Sequence, residues 1–304
     1  MGAFPEFPVF RPVELDDRDI ITDILHKYRP GISELTYTNL FIWRKHYNFL
    51  WSVHANCLCI VGKEGGGPWF GMAPAGATGR IDSAVAVLEW LRDTKSQAGP
   101  SIERADESLS LAVPASSRLQ VEEKREHFDY VYRTRDLIDL GGNKYRNKRN
   151  HINQFLRAYQ SYTYEVFEER HIDACLKLQE NWCNLRRCNE DLNLLGEWEA
   201  IKEILNNYAK LETSGAVICV AGEVKAFTFG EMIADDMAVI HIEKADPAIP
   251  GLYQLINQQF CARRWQDVAF VNREQDLGIT GLRDAKMSYN PDHFVKKYRI
   301  TLKE

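Results

Sequence analysis

The sequence has 304 residues, of which 45% are hydrophobic and 27% charged, which excludes a disordered chain and leaves room for two domains. Its net charge of −5 argues against sequence-independent coating of nucleic acid, which needs many phosphate contacts by Lys and Arg. No stretch approaches the roughly 20 apolar residues that cross a bilayer, and the first residues lack a signal-peptide pattern.

The first half of the sequence predicts a strand, two helices, a three-stranded meander and then helix, strand, helix and strand. These assignments follow from apolar periodicity, from the acids that open helices and from the Gly and Pro residues that end them. In chain order the elements are a strand at 9–13, helices at 15–28 and 33–44, strands at 49–53, 57–61 and 69–72, a helix at 83–95, a strand at 101–104, a helix at 106–112 and a strand at 128–133.

The second half predicts the same order again, after a basic connecting helix at 135–160. Its elements are a strand at 162–167, helices at 171–186 and 192–211, strands at 216–221, 224–233 and 237–243, a helix at 251–264, a strand at 268–271, a helix at 282–289 and a last strand at 293–302. This repeated order matches the acetyltransferase (GNAT) fold. We therefore predict an α/β protein with mixed sheets and two tandem GNAT-like domains, at 1–134 and 161–304.

Polar residues follow the buried strand at 268–271, where α/β sheets place their sites. Asn272, Arg273 and Glu274 lie in this segment. Arg273 and Glu274 could form an ion pair that shapes a pocket or, equally, could contact the substrate directly. On the next helix Arg283 and Lys286 are three residues apart and share a face, which suits an anion or, equally, a solvated helix surface.

A second segment, HIEKADPAIPG, ends the strand at 237–243 and continues as the loop before the next helix. Glu243 and Asp246 are its acids and could transfer a proton or only solvate the loop, whereas Gly251 begins a helix whose free N–H groups favour an anion. The spacing does not choose between these roles.

The motif GLRDAKMSYNP, followed by Tyr298, resembles a signature near the end of the C-terminal domain of phosphatidylglycerol lysyltransferases and their uncharacterised relatives. LGGNKYRNKRNHINQF and HIEKADPAIPGLYQLINQQF extend the resemblance over residues 135–304. It implies tandem GNAT-like domains and an aminoacyltransferase, in which an acceptor hydroxyl or amine attacks an activated aminoacyl ester such as aminoacyl-tRNA. The protein would position both substrates and stabilise the oxyanion.

The resulting candidate residues fall into three groups. Proton transfer and charge stabilisation are assigned to Glu243, Asp246 and Lys286. Substrate binding is assigned to Asn272, Arg273, Glu274, Arg283, Tyr289, Tyr298 and Gly251, although buried tyrosines are more often core residues. Contact with the phosphates of RNA or lipid is assigned to a basic cluster that would otherwise be a solvated helix, namely Lys144, Arg146, Lys148 and Arg149.

No cofactor is predicted. The loop ADPAIPGL lacks the Q/RxxGxG/A pattern that wraps the coenzyme A pyrophosphate, and the chain has no HExxH motif or paired Cys for a metal. His241 and Glu243 alone would be an incomplete ligand set. A coenzyme A-dependent N-acyltransferase and a noncatalytic module that binds a small molecule, peptide or RNA stay open as alternatives.

The expected partners are tRNA and an unidentified acceptor. Without a transmembrane segment, a soluble acceptor or one reached by peripheral membrane contact is expected. Seven Cys residues without a CxxC pair indicate reduced, buried thiols and a cytoplasmic protein.

Overall fold

The computed structural model describes residues 4–115, 118–186 and 191–303. The chain forms two compact units. The first comprises the residues up to Asp129, with Gln275–Gly278 and the segment from Val295 on, and the second comprises Tyr130–Glu274 and Ile279–Phe294. These bounds differ from the predicted domains, because the end of the chain belongs to the first unit.

The strands and helices follow the predicted order closely. The strands are β1 (Arg11–Pro12), β2 (Leu50–His54), β3 (Cys57–Lys63), β4 (Trp69–Met72), β5 (Ser101–Asp106), β6 (Leu119–Glu123), β7 (Asp129–Arg133), β8 (Tyr162–Val166), β9 (Ser214–Val220), β10 (Glu223–Ala234), β11 (Met237–Ala245), β12 (Phe270–Asn272), β13 (His293–Val295) and β14 (Lys297–Leu302). The helices are α1 (Arg18–Tyr28), α2 (Tyr37–Trp43), α3 (Arg80–Thr94), α4 (Glu107–Ala112), α5 (Thr134–Asp139), α6 (Arg146–Ala158), α7 (Ile172–Arg186), α8 (Leu192–Asn207), α9 (Leu252–Arg264) and α10 (Thr280–Met287). The strand β6 was not predicted, and the basic connecting helix predicted at 135–160 is two helices, α5 and α6, rather than one.

Each unit has one mixed sheet. The first sheet runs β1-β2-β3-β4-β5-β14-β6 and the second β13-β7-β12-β11-β10-β9-β8. In each, a meander of antiparallel strands leads to one parallel pair, which is β4 with β5 in the first sheet and β11 with β12 in the second. The predicted fold class, two tandem GNAT-like units with mixed sheets, is confirmed.

Two strands lie in a different sheet from the one predicted. The segment 293–302 is two strands rather than one: β13 belongs to the second sheet, whereas β14 pairs with β5 and β6 in the first. Conversely β7, predicted for the first domain, pairs with β12 in the second sheet. Alternation of apolar residues predicts a strand but not its partner, because pairing is decided by contacts distant in sequence.

A buried lysine accompanies β14 in the first unit. Lys297 is fully buried, and its Nζ donates to Glu34 Oε2 and to Asp129 Oδ1, each at 2.6 Å. Desolvation raises the pKa of Glu34, and the charges of Lys297 and Arg104 oppose that rise. Removing one member of such a set leaves a buried charge without compensation, so β14 and its partners hold each other in place.

The parallel pair in the second sheet is short, because β12 ends at Asn272. Its register ends at Val239 and Asn272, although β11 continues to Ala245. At the same level the pairing of β11 with β10 skips a residue, which makes His241 a β-bulge. Beyond the end of β12, the side chains of His241 and Glu243 on β11 contact the segment that follows β12.

The cysteines fit the prediction in part. Five of them are free and buried: Cys57, Cys59, Cys175, Cys219 and Cys261. Cys183 is disulfide-bonded, which corrects the expectation of reduced thiols throughout, and Cys188 lies outside the described residues. Cysteine number and spacing alone could not have predicted that bond.

Among the helices of the described ranges, none combines the length and the apolar character needed to span a bilayer.

Candidate active site

A buried carboxylate organises the carboxyl end of β11. Glu243 Oε1 accepts a hydrogen bond of 2.9 Å from Arg273 Nη2, and its Oε2 accepts one of 2.9 Å from Asn257 Nδ2 on α9. The side chains of Glu243 and Arg273 are only 12% and 15% exposed. Burial opposes the charged form of Arg273, yet the charge of Glu243 holds the Arg273 pKa above its ordinary value. Arg273 is therefore positively charged in this cluster.

Two atoms of this cluster lack a hydrogen bond. Arg273 Nη1 and Asn257 Oδ1 are buried, and neither has a hydrogen-bond partner within the part of the chain that the structure describes. The other polar atoms of these two groups, Arg273 Nη2 and Asn257 Nδ2, are the ones that donate to Glu243. Buried polar atoms are nearly always paired, so a donor and an acceptor held beside one carboxylate point to a ligand that supplies the complementary groups.

Tyr289 forms one wall of the cluster. Its ring centroid lies 4.7 Å from the guanidinium carbon of Arg273 and 4.0 Å from Lys148 Nζ. Lys148 also donates to Ser288 Oγ at 2.7 Å. Burial and the charge of Arg273 lower the pKa of Lys148 to about 8, and the charge of Glu243 opposes that shift only in part. The site thus holds an amine that titrates near neutral pH.

The bulge residue His241 lies in a second buried charge cluster. Its Nδ1 donates to Glu274 Oε1 and its Nε2 to Glu231 Oε1, both at 2.8 Å. Burial lowers the pKa of His241, but the two carboxylates outweigh burial and raise the pKa to about 10. His241 is therefore an imidazolium with both nitrogens engaged, rather than a metal ligand.

Lys286 supports the backbone of the same segment. Its Nζ donates to the carbonyl oxygen of Arg273 and, at 3.0 Å, to that of Glu274. Glu274 has a positive φ of 57°, an unusual conformation for a residue with a side chain. Tyr132 Oη donates to the Lys286 carbonyl at 2.8 Å. These contacts favour a role in holding the turn that presents Arg273; the predicted catalytic role of Lys286 stays a prediction.

The loop before α9 satisfies its own amides. Asp246 Oδ1 accepts from the Ala248 amide at 3.0 Å, and the Asp246 carbonyl accepts from the Ile249 amide at 3.1 Å. A Cβ on Gly251 would lie 2.0 Å from the carbonyl oxygen of His151, so α6 closely covers the start of α9. A carboxylate and a carbonyl thus occupy the place where we expected an anion.

The remaining substrate-binding candidates are dispersed. Asn272 is fully buried, and its Oδ1 accepts from the Glu274 amide at 2.7 Å, which holds the turn. Arg283 is partly buried on α10. Tyr298 lies on β14 in the first unit, where its hydroxyl donates to Glu107 at 3.4 Å, and its role in substrate binding stays a prediction.

The four basic residues also separate. Lys144 forms an ion pair of 3.2 Å with Asp136. Arg149 Nη1 donates to the carbonyls of Leu140 and Gly142, which caps the end of α5. Arg146 is exposed on α6. Only Lys148 reaches the Glu243 cluster, and phosphate binding by the others stays a prediction.

Asn257 and the role of Lys148 were missed from the sequence. Asn257 is 1% exposed among the buried apolar residues of α9, and an amide inside an apolar helix face was the available signal. For Lys148 no such signal existed, because nothing in a basic run shows which lysine turns inward.

Residues 26–301 match the family model described as phosphatidylglycerol lysyltransferase, C-terminal. The chain belongs to this family. Membership makes the protein one of an aminoacyltransferase-like family and confirms the resemblance found in the sequence.

Solved structures agree with this assignment. A conserved protein of unknown function from Bacteroides thetaiotaomicron is 32% identical, with a TM-score of 0.87 over 99% of this chain and 100% of that one. The structure of L-PGS from Bacillus licheniformis is 16% identical, with a TM-score of 0.64 over 100% of this chain and 95% of that one. At that identity the likeness to L-PGS is one of fold alone.

Among curated proteins, an uncharacterised protein of Mycoplasmoides gallisepticum is 22% identical over 176 residues. The match covers 57% of this chain and 55% of that protein, so the chain spans about half the length of the curated relative it matches.

Proposed function

We propose that this member of the phosphatidylglycerol lysyltransferase C-terminal family moves an aminoacyl group from aminoacyl-tRNA to a hydroxyl or amine acceptor, at the site formed by Glu243, Arg273 and Asn257. The proposal rests on two buried atoms that lack a hydrogen bond to any described residue, the donor Arg273 Nη1 and the acceptor Asn257 Oδ1, on side chains that both bind Glu243. An aminoacyl ester offers the matching pair, a carbonyl oxygen that accepts and an amino group that donates.

In this arrangement Arg273 Nη1 donates to the ester carbonyl oxygen, which gains negative charge when the acceptor attacks. A buried guanidinium stabilises that charge more strongly than water does, because the surrounding dielectric is low. Asn257 Oδ1 accepts from the amino group and so orients the carbonyl carbon toward the acceptor. Glu243 contacts neither group; its two hydrogen bonds fix the positions of both side chains.

This geometry assigns Glu243 an orienting role, whereas the sequence suggested proton transfer. The loop before α9 supports an aminoacyl ester over coenzyme A as donor, because Asp246 already pairs with its amides and would repel a pyrophosphate. The identity of the amino acid and of the acceptor follows from the assay below.

The test is transfer from bulk tRNA charged with a mixture of labelled amino acids, with three acceptors offered separately: phosphatidylglycerol vesicles, a soluble glycerol-phosphate headgroup and a primary amine. Arg273→Lys keeps a cation beside Glu243 but loses the second donor of the guanidinium fork. We expect its turnover to fall by about 100-fold or more, the usual effect of losing one oxyanion donor.

Arg263→Ala is the matched control, because Arg263 is an exposed arginine on α9, where its Nε donates to Gln259. It should transfer at the wild-type rate. Full activity of Arg273→Lys would refute the role of Arg273. Consumption of acetyl-coenzyme A without loss of aminoacyl-tRNA would favour the N-acyltransferase, and binding of a ligand without turnover would favour a noncatalytic module.

A further inference from the structure

Lys148 differs from the surface lysines of a solvated helix. Its side chain extends from α6 to contact Ser288 and the ring of Tyr289, and it is half-buried. Within the described ranges it forms no ion pair with a carboxylate. A desolvated ammonium normally has a carboxylate partner, since burial without one favours the neutral amine.

Two charged groups and one aromatic ring face Lys148. Arg273, after β12, repels its positive charge, and Glu243, on β11, attracts it, but Arg273 already neutralises Glu243 through their ion pair. The face of Tyr289, after α10, also favours the ammonium. These effects leave both protonation states accessible near neutral pH, as the pKa of about 8 indicates.

The other candidates for proton transfer are engaged. Both oxygens of Glu243 already accept hydrogen bonds, and Asp246 Oδ1 accepts one from the loop. Lys286 donates to two backbone carbonyls, and His241 is bound to carboxylates through both nitrogens. Lys148, in contrast, donates to the neutral hydroxyl of Ser288. It can exchange that hydrogen bond for one to a substrate.

We propose that Lys148 is the proton-transfer group of the Glu243–Arg273–Asn257 site, an inference that rests on the proposed function. The neutral Lys148 amine takes a proton from the acceptor hydroxyl or neutral acceptor amine as the acceptor atom forms its bond to the ester carbon. When the bond from that carbon to the tRNA oxygen breaks, the Lys148 ammonium returns the proton to the leaving oxygen. Atoms and charge balance without a further reactant.

The first arm of the test does not depend on turnover. Trace labelling of the folded protein with acetic anhydride at a series of pH values, read by peptide mass spectrometry, measures the titration of each lysine amine. We expect Lys148 to titrate near pH 8. Lys202 is the reference, because it too is partly buried and lies against a ring, that of Trp198 at 5.0 Å. If Lys148 titrates no lower than Lys202, the inference is wrong whatever the protein catalyses.

The second arm is the pH profile of kcat/KM for wild type, Lys148→Arg, Lys148→Met and the control Lys202→Met. The wild type should lose activity below about pH 8, and both Lys148 variants should be slower by about 100-fold or more, the usual effect of removing a general base. Arginine keeps the charge but cannot accept a proton. An active Lys148→Arg would therefore mean that only the positive charge of Lys148 matters, and it would overturn the inference.

The two proposals fail in different ways. If the wild type transfers nothing from any aminoacyl-tRNA, the proposed function fails and the proton role falls with it. If transfer occurs and the Arg273 variant is slow but Lys148→Arg is not, only the inference about Lys148 is refuted.

Discussion

Replacing His241 by Gln tests whether the buried cluster of His241, Glu231 and Glu274 stabilises the second unit. The imidazolium is 1% exposed and donates to both carboxylates. Its pKa in the folded protein, about 10, exceeds the ordinary value near 6.5, so the folded state holds this proton more tightly than the unfolded chain. The stabilisation is complete below the unfolded pKa and is lost as the pH rises through about 10.

The magnitude follows from the shift. Each pKa unit corresponds to roughly 1.4 kcal/mol, so between pH 7 and the folded pKa of about 10 this cluster should lose about 4 kcal/mol of unfolding free energy. His241→Gln removes the titrating group and should also unfold more easily at pH 7 by about 3–5 kcal/mol, because two buried carboxylates lose their cation.

The assay is urea unfolding, followed by circular dichroism at pH 7, 8, 9 and 10, for wild type and variant. Lysines and tyrosines that titrate in both proteins cancel in the difference between them. We expect the difference in unfolding free energy to shrink as the pH rises. A constant difference over this range would mean that His241 does not carry the extra proton, and the reasoning would fail.

Two further predictions concern packing in the second unit. Glu243→Gln and Arg273→Met should each lower the unfolding free energy by about 3–5 kcal/mol. In a double-mutant cycle measured by urea unfolding, the double variant should lose at least about 1 kcal/mol less than the sum of the two single losses. Additive losses would contradict the ion pair. Gly251→Ala should lower the melting temperature by several degrees, because the new Cβ would lie 2.0 Å from the His151 carbonyl oxygen at a φ of 86°. Gly281→Ala is the control, because no atom lies within 4 Å of its added Cβ. In this helix position alanine should raise the unfolding free energy by about 0.5–1 kcal/mol. Equal changes of melting temperature in the two variants would refute the packing argument.

Sequence reasoning located the region of the site because strand ends are local features. The order of apolar and polar residues placed Glu243 at the end of one strand and Arg273 just after another, and the structure joins them by an ion pair. It could not supply Asn257 or Lys148, which come from α9 and α6, because helix periodicity predicts the buried face of a helix but not which polar group that face meets. Tyr298 shows the same limit in a strand, since its partner strands were not predictable from alternation.

The roles assigned to acids and bases were harder still. A carboxylate near a loop can accept a proton or hold its neighbours, and only the two hydrogen bonds to Glu243 favour the second role. The charge on His241 likewise depends on Glu231 and Glu274, which lie ten residues before it and 33 residues after it in sequence. Such contacts exist only in the folded chain.

The place of β14 between β5 and β6 affects how the protein folds as it is synthesised. The ribosome releases β5 and β6 long before Lys297, because almost the whole second unit lies between them in sequence. Until then the first sheet lacks the strand that joins its last two members, and Glu34 and Asp129 lack the ammonium that neutralises them. The first sheet therefore cannot close before β14 has left the ribosome, and until then the open edges of β5 and β6 need protection from other chains.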